Sequence, residues 1–113
     1  MVVIIKPSYA CNLRCKYCYL SNETKTELYS FDIEFANHII LNLKQVLSAQ
    51  HKRKLNIIWH GGEPLLWGVE NYREILQYSA IELSEFRVKH SIQTNLTLIN
   101  QDYIDLFKQY NVH

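Results

Sequence analysis

The sequence predicts an α/β fold built from consecutive parallel βα units, the first half of a TIM-like barrel. Three observations predict it. Short apolar, β-branched runs alternate with longer segments of helical period, and the alternation occurs three times in 113 residues. No internal repeat or Gly/Ser/Pro-rich linker interrupts it. The last residues, Asn111-Val112-His113, read as the start of a fourth strand. Repeated βα units give a parallel sheet with right-handed crossovers. Such strands need both faces covered, and three helices cover only one. The remaining strands are therefore expected beyond His113, and the chain alone is expected to be poorly stable and to associate through its open edge.

Val2-Val3-Ile4-Ile5 is a continuous β-branched run, which predicts a strand buried on both faces, ending at Pro7. Residues 8–30 are polar, rich in Tyr and contain every cysteine, so they read as one long functional loop. Asp32 is placed to cap a helix reaching about Gln50, with Ile33, Ala36, Ile40, Leu43 and Leu47 on one face. His51-Lys52-Arg53-Lys54 reads as a solvated turn. Leu55 to Trp59 is the second strand, broken sharply at His60-Gly61-Gly62-Glu63-Pro64. A helix from Val69 to Ser84 follows, burying Tyr72, Ile75, Leu76, Ser79 and Leu83. A third strand runs from about Val88 to Thr94, and Asn100 caps a helix with Tyr103, Phe107 and Tyr110 inward.

Composition excludes several classes. The chain is 48% hydrophobic and 20% charged, which excludes disorder, and its net charge of +1 provides no field for nucleic acid. No apolar run approaches the ~18 residues of a membrane span. The start, MVVIIKP, lacks a basic n-region and a cleavage site, so a cytoplasmic location is expected. Three cysteines cannot pair completely within one chain, and in a reducing compartment they point to metal binding or catalysis.

Cys11, Cys15 and Cys18 form C-x3-C-x2-C. Thiolates suit iron–sulfur clusters and zinc. Zinc wants a fourth ligand, for which only His38 or His60 offers itself. Three thiolates on a four-iron cube leave one iron open to a substrate or cofactor. Arg14, Lys16 and Lys6 are near in sequence and are candidates to offset the negative charge of such a cluster.

The segment Tyr9-Ala10-Cys11-Asn12-Leu13-Arg14-Cys15-Lys16-Tyr17-Cys18-Tyr19 resembles the cluster loop of radical S-adenosylmethionine (SAM) enzymes, including the aromatic residue before the last cysteine. The resemblance is to the branch with SPASM-type C-terminal domains, which includes anaerobic sulfatase-maturating enzymes and peptide-modifying maturases. It covers nearly the whole chain, because two further motifs follow in order. Trp59-His60-Gly61-Gly62-Glu63-Pro64-Leu65-Leu66 is similar to the family's Gly-Gly-Glu-Pro motif, at the strand end where parallel folds bind ligands. Ser91-Ile92-Gln93-Thr94-Asn95 is similar to the third-strand segment. Family members commonly carry Gly after that Asn. Here Leu96 stands there, and leucine disfavours positive φ.

The resemblance implies that residues 1–113 are the N-terminal part of a radical SAM core domain. It implies a 4Fe-4S cluster on Cys11, Cys15 and Cys18, and SAM held by Gly61, Gly62 and Glu63. Tyr17 would neighbour the adenine, and Gln93 and Asn95 would face the ligand. The implied activity is reductive cleavage of SAM to a 5′-deoxyadenosyl radical that takes hydrogen from a peptide or protein, as in sulfatase maturation or peptide crosslinking. A flavodoxin or ferredoxin would supply electrons, and neither membrane nor nucleic acid is an expected partner. No residue of this chain is nominated as a proton acceptor. Two alternatives stay open here: an inactive truncated cluster-binding fragment and a zinc-binding interaction module.

Overall fold

A computed structural model describes residues 1–27 and 29–113; Leu28, within the span read as loop, lies outside the described residues. Strands β1 (Val2–Ile5), β2 (Lys54–Trp59) and β3 (Arg87–Ile92) form a parallel sheet in the order β1-β2-β3. A short helix α1 (Asn22–Thr26) precedes α2 (Ile33–Ala49), the crossover from β1 to β2. A 3-10 turn (Pro64–Trp67) precedes α3 (Val69–Glu82), and α4 (Gln101–Gln109) follows β3. Among the described residues no helix is long and apolar enough to cross a membrane.

Helices α2 and α4 begin where side chains satisfy their free N–H groups, while α3 starts at Gly68 without a side-chain cap. Asp32 Oδ1 accepts from Phe35 N at 2.8 Å, and Asn100 Oδ1 accepts from Tyr103 N at 3.1 Å. The expected faces are the buried ones: Ala36, Ile40 and Leu47 on α2, and Tyr72, Ile75, Leu76 and Ser79 on α3, with Leu83 just after it. On α4 Tyr103 and Leu106 are buried, while Phe107 and Tyr110 are half-buried. The turn after α2 is exposed, with His51 at φ 52° and Lys52 N donating to Leu47 O at 2.9 Å, a left-handed helix stop made without glycine.

The first strand departs from its expected burial. Ile5 is buried, but Val2 and Ile4 are 61% and 57% exposed. The helices cover one face of the sheet, and side chains alternate between faces. The second face carries Val2 beside Asn56 beside Lys89, then Ile4 beside Ile58 beside Ser91. That is the face a closed barrel turns inward. At the far edge His113 N donates to His90 O at 3.0 Å and Ile92 N donates to His113 O at 2.7 Å, which is the pattern of a parallel neighbour. The loop reading of residues 8–30 also needs correction. It holds α1, capped by Ser21, and an antiparallel bridge between Ser8 and Ser30. A five-residue helix is too short to show a periodic apolar face.

The core is aromatic where it meets the sheet. Trp59 stacks on Trp67 at 5.7 Å, and Tyr72 meets both edge-on at 5.5 and 5.1 Å. Buried hydroxyls find partners: Tyr72 donates to Pro64 O at 3.1 Å and Tyr103 donates to Leu65 O at 2.6 Å. Burial raises both phenols, Tyr103 to about 12, with the charge of Glu63 adding to the effect. Beside them Trp59 Nε1 donates to His90 Nδ1 at 3.2 Å, and Ser79 Oγ lies 3.2 Å from His90 Nε2. Indole nitrogen can only donate, so the imidazole is neutral with its proton on Nε2.

Burial holds His90 at about 4, below its ordinary 6.5. Between those values the unfolded chain binds the extra proton and the folded chain does not, so stability falls as pH drops through this window. From pH 6.5 to 5 the loss is expected to be on the order of 2 kcal/mol by urea unfolding, and His90→Asn should flatten that slope.

Candidate functional site

The loops at the carboxyl ends of the three strands meet over one end of the sheet. Glycine makes the first contact. Gly61 has φ 127°, and a Cβ on it would collide with the carbonyl oxygen of Ser8. A Cβ on Gly62 would collide with the carbonyl oxygens of Tyr9 and Ala10. Gly62 N donates to Ser8 O at 3.2 Å and Glu63 N donates to Ala10 O at 2.7 Å. The structure therefore supplies a reason for the glycines beyond the approach of a ligand: the second loop lies directly on the backbone that leads into Cys11.

Glu63 makes the second contact. It is 1% exposed. Its Oε1 accepts from Leu65 N at 3.0 Å and from Thr94 Oγ1 at 2.6 Å, and its Oε2 accepts from Asn95 N at 2.8 Å. The carboxylate starts the 3-10 turn and binds the second loop to the third. Its side chain is fully engaged within the protein, and its backbone is too: its carbonyl accepts from Leu66 N at 3.1 Å.

Asn95 makes the third contact. Its Nδ2 donates to Asn12 Oδ1 at 3.0 Å, and its Oδ1 accepts from Thr97 N at 3.0 Å and Thr97 Oγ1 at 2.7 Å. Asn12 Nδ2 in turn donates to Thr97 Oγ1 at 2.7 Å. This small amide network joins the cysteine loop to the third loop. Within it Leu96 takes φ 64°, the conformation a glycine would occupy freely. The leucine departs from the family pattern, but the left-handed turn is still made.

A cavity of about 290 Å³ lies between these loops. Cys11, Leu13, Cys15, Tyr17, Cys18 and Tyr19 of the first loop line it together with His60, Gly61 and Gly62 of the second and Asn95 of the third. Of the residues singled out in the sequence, the three cysteines, Tyr17, both glycines and Asn95 thus share one space. Glu63 and Gln93 are not among its lining residues. Gln93 is exposed, and its N donates to Trp59 O at 2.9 Å. Tyr17 is 92% exposed, and Cys15 beside it raises its phenol, first by a hydrogen bond and then by charge.

All three cysteines are free and half-buried. Among the described residues no three His, Cys, Asp or Glu side chains are gathered so as to hold a single metal ion. A zinc ion needs its donors in one tight shell. An iron–sulfur cube takes its thiolates at separate corners. The three free thiols on the lining of one cavity are soft donors of the kind an iron–sulfur cluster takes.

The basic residues near the loop have separate tasks. Arg14 Nη1 donates to Cys11 O at 2.6 Å and to Leu13 O at 2.9 Å. Lys6 Nζ reaches Tyr19 OH at 3.3 Å and lies over the rings of Tyr9 and Tyr19. Lys16 is exposed. The sequence reading missed Lys25. It is 3% exposed, on α1, and its carbonyl accepts from Cys11 N at 3.1 Å. The backbone N–H of Leu20 holds the Cys18 thiol below its usual range; desolvation opposes this, and the Lys25 side chain, beside the sulfur, adds to the lowering.

A parallel βα sheet whose carboxyl-end loops bring three free thiols and a Gly-Gly turn to one cavity defines an α/β domain with its candidate site at the carboxyl ends of the strands. The Radical SAM superfamily profile matches residues 5–113, and the chain belongs to that family. It is 36% identical to an uncharacterized protein of Synechocystis over 99% of this chain and 28% of that one. It is 34% identical to a serine-type anaerobic sulfatase-maturating enzyme of Klebsiella pneumoniae over 96% of this chain and 27% of the enzyme. A cysteine-type enzyme of Clostridium novyi is also 34% identical, over 96% of this chain and 30% of the enzyme. The fold superposes on anSMEcpe with bound AdoMet at a TM-score of 0.82 and 25% identity, covering 99% of this chain and 30% of that one. The chain thus spans under a third of the length of these proteins.

Two substitutions test the clamp. Glu63→Gln places amide hydrogens against backbone donors and is expected to cost about 2 kcal/mol in urea unfolding. Leu96→Gly relieves the left-handed leucine and is expected to raise stability by up to about 1 kcal/mol in the same assay, part of the gain being offset by a freer unfolded chain.

Proposed function

We propose that this chain holds a 4Fe-4S cluster on Cys11, Cys15 and Cys18 and binds SAM beside it, as the N-terminal part of a peptide- or protein-modifying radical SAM enzyme. The observation that carries the reading is the single cavity shared by the three thiols, Tyr17, Gly61, Gly62 and Asn95. When bound, the cluster and SAM supply reductive carbon–sulfur cleavage and a 5′-deoxyadenosyl radical for hydrogen abstraction.

The chain's own residues orient and enclose. Gly61 and Gly62 have no side chains, and the Glu63 carboxylate is engaged elsewhere. Gly61 and Gly62, on the cavity lining, therefore meet the amino group of the methionyl part through backbone carbonyls, and Glu63 holds their turn in place from behind. Tyr17, open to the cavity, offers a flat face for the adenine. Asn95 has its amide tied to Asn12 and Thr97, so its part is to hold the wall in place. Gln93, just past the end of β3, lies off the cavity lining, and its part is to tie the third loop to Trp59 through its backbone. A peptide substrate fits the relatives: a solved structure of anSMEcpe carries AdoMet and the Cp18Cys peptide, at 25% identity to this chain. Electrons would come from a flavodoxin or ferredoxin.

Anaerobic reconstitution with iron and sulfide should give a brown chain with about four irons and bound sulfide. Cys15→Ala should lose both colour and iron. With dithionite and SAM, the loaded protein should release 5′-deoxyadenosine. A colourless chain that takes up one zinc instead would overturn the reading.

A further inference from the structure

Charge is distributed unevenly over the sheet. None of the eleven acidic residues of the chain lies on a strand. The charged residues that do lie on strands are Lys54, Arg87 and Lys89, and all three are exposed. They lie on the face that the helices leave open, since Leu55, Ile57 and His90, which alternate with them, are buried. Parallel pairing sets Lys54 directly beside Arg87, and Lys89 beside Asn56 one layer on. Neighbouring strands are about 4.8 Å apart, and like charges at facing positions repel. Among the described residues the ion pairs join Lys44 to Glu82 and Arg73 to Glu70, so no carboxylate relieves this cluster. The next layer is Ile4, Ile58 and Ser91. The ladder then continues one step past the strands: His60 N donates to Ile5 O and Gln93 N donates to Trp59 O, both at 2.9 Å. His60, on that step, lines the cavity of the candidate site. One face thus runs from the cavity at its carboxyl end to three unpaired cations at its amino end, about 20 Å away along the strand.

We infer that this face binds the substrate chain, and that the substrate is an acidic peptide lying extended on it with carboxylates over Lys54, Arg87 and Lys89. The inference rests on the peptide-modifying function proposed above and goes beyond it by naming the charge class of the peptide and the residues that read it. The layers fit such a chain. Asn56 and Ser91 offer hydrogen bonds to a peptide backbone, and Ile4 and Ile58 take an apolar side chain. The cations then hold the acidic end, about six extended residues from the cavity. Nucleic acid fits the face less well. Its strand residues include no aromatic ring on which a base could stack, and a net charge of +1 gives no broad field for a phosphate backbone. Lys54, Arg87 and Lys89 lie at the opposite end of the sheet from the thiols, so they are positioning residues and do no chemistry themselves.

The test is a fluorescence-anisotropy titration of the reconstituted chain with two labelled peptides of about eight residues. Each carries Ser at one end; the other end carries a pair of Glu in the first peptide and a pair of Gln in the second. At low ionic strength the acidic peptide should bind about tenfold tighter, and the advantage should shrink as salt is added. The double variant Lys54→Gln/Lys89→Gln should bring the two peptides within about twofold of each other. Lys108→Gln, exposed on α4, should leave the wild-type ratio unchanged. By circular dichroism the double variant should melt no lower than wild type, since repulsion has been relieved. Should it fail to fold, the single variants Lys54→Gln and Lys89→Gln carry the same criterion, each lowering the ratio. Equal binding of the two peptides by wild type overturns the inference, and so does a preference that survives in the variants or is lost equally in Lys108→Gln. A uridine octamer that binds more tightly than the acidic peptide and is released by the same substitutions overturns the peptide assignment in favour of nucleic acid. Iron content is measured on the same samples: wild type without iron overturns the cluster reading whichever peptide binds, a result distinct from a loaded wild type indifferent to peptide charge.

Discussion

The Glu63 carboxylate is the point at which the three loops become one body. Its own N–H is donated to Ala10 O in the first loop, one oxygen receives Leu65 N in the second and Thr94 Oγ1 in the third, and the other receives Asn95 N. A buried carboxylate with fewer partners would be a large penalty; with three donors aimed at it, charge-assisted hydrogen bonds offset the loss of water. The aromatic core supports the same segment from beneath. Tyr72 and Tyr103 donate to the carbonyls of Pro64 and Leu65, so the turn that carries Glu63 is held from both sides. The glycine contacts depend on this. Gly61 and Gly62 can lie on the Ser8–Ala10 backbone only while the following residues are pinned.

Stability and chemistry are divided between the two faces and two ends of the sheet. The helix-covered face holds Leu55, Ile57, Trp59 and His90 out of water. The other face is layered by the parallel register. Lys54 lies beside Arg87 at the amino end, Asn56 with Lys89 next, then Ile4, Ile58 and Ser91 below the carboxyl-end loops. Charged residues lie at the amino end of that face, and Ile4 and Ile58 lie toward the carboxyl end. The order follows from register alone: parallel pairing brings equivalent positions of each strand into one layer.

Much of the fold was legible because its signals are periodic. Ile33, Ala36, Ile40 and Leu47 repeat at three and four, and the capping residues Asp32 and Asn100 stand where the helices start. The cysteine spacing and the Gly-Gly-Glu-Pro run were legible as chemistry. What escaped was set by distance in the chain. The glycines read as room for a ligand, whereas the nearest atoms are carbonyls some fifty residues upstream, at Ser8 and Ala10. The Glu63 side chain read as a ligand group, whereas its donors lie on Thr94 and Asn95. Val2 and Ile4 read as buried because a β-branched run does not say how many layers cover it. Leu96 read as an obstacle to positive φ, yet a turn pinned by Asn95 and Thr97 holds a leucine there.

The basic residues around the cysteines show why sequence proximity is a poor guide to electrostatics. Arg14 and Lys16 are nearest in the chain, and Lys6 leads into the loop. Arg14 has its guanidinium on the carbonyls of Cys11 and Leu13, where it shapes the loop. Lys6 is engaged by Tyr9 and Tyr19. Lys16 stands in solvent, where a charge a few ångströms away is worth little. Lys25 is seven residues past the last cysteine in a helix too short to be seen by its period, and it is the one that lies buried. Lys25 meets the loop through the fold of α1, by a backbone bond to Cys11 that no local sequence pattern encodes.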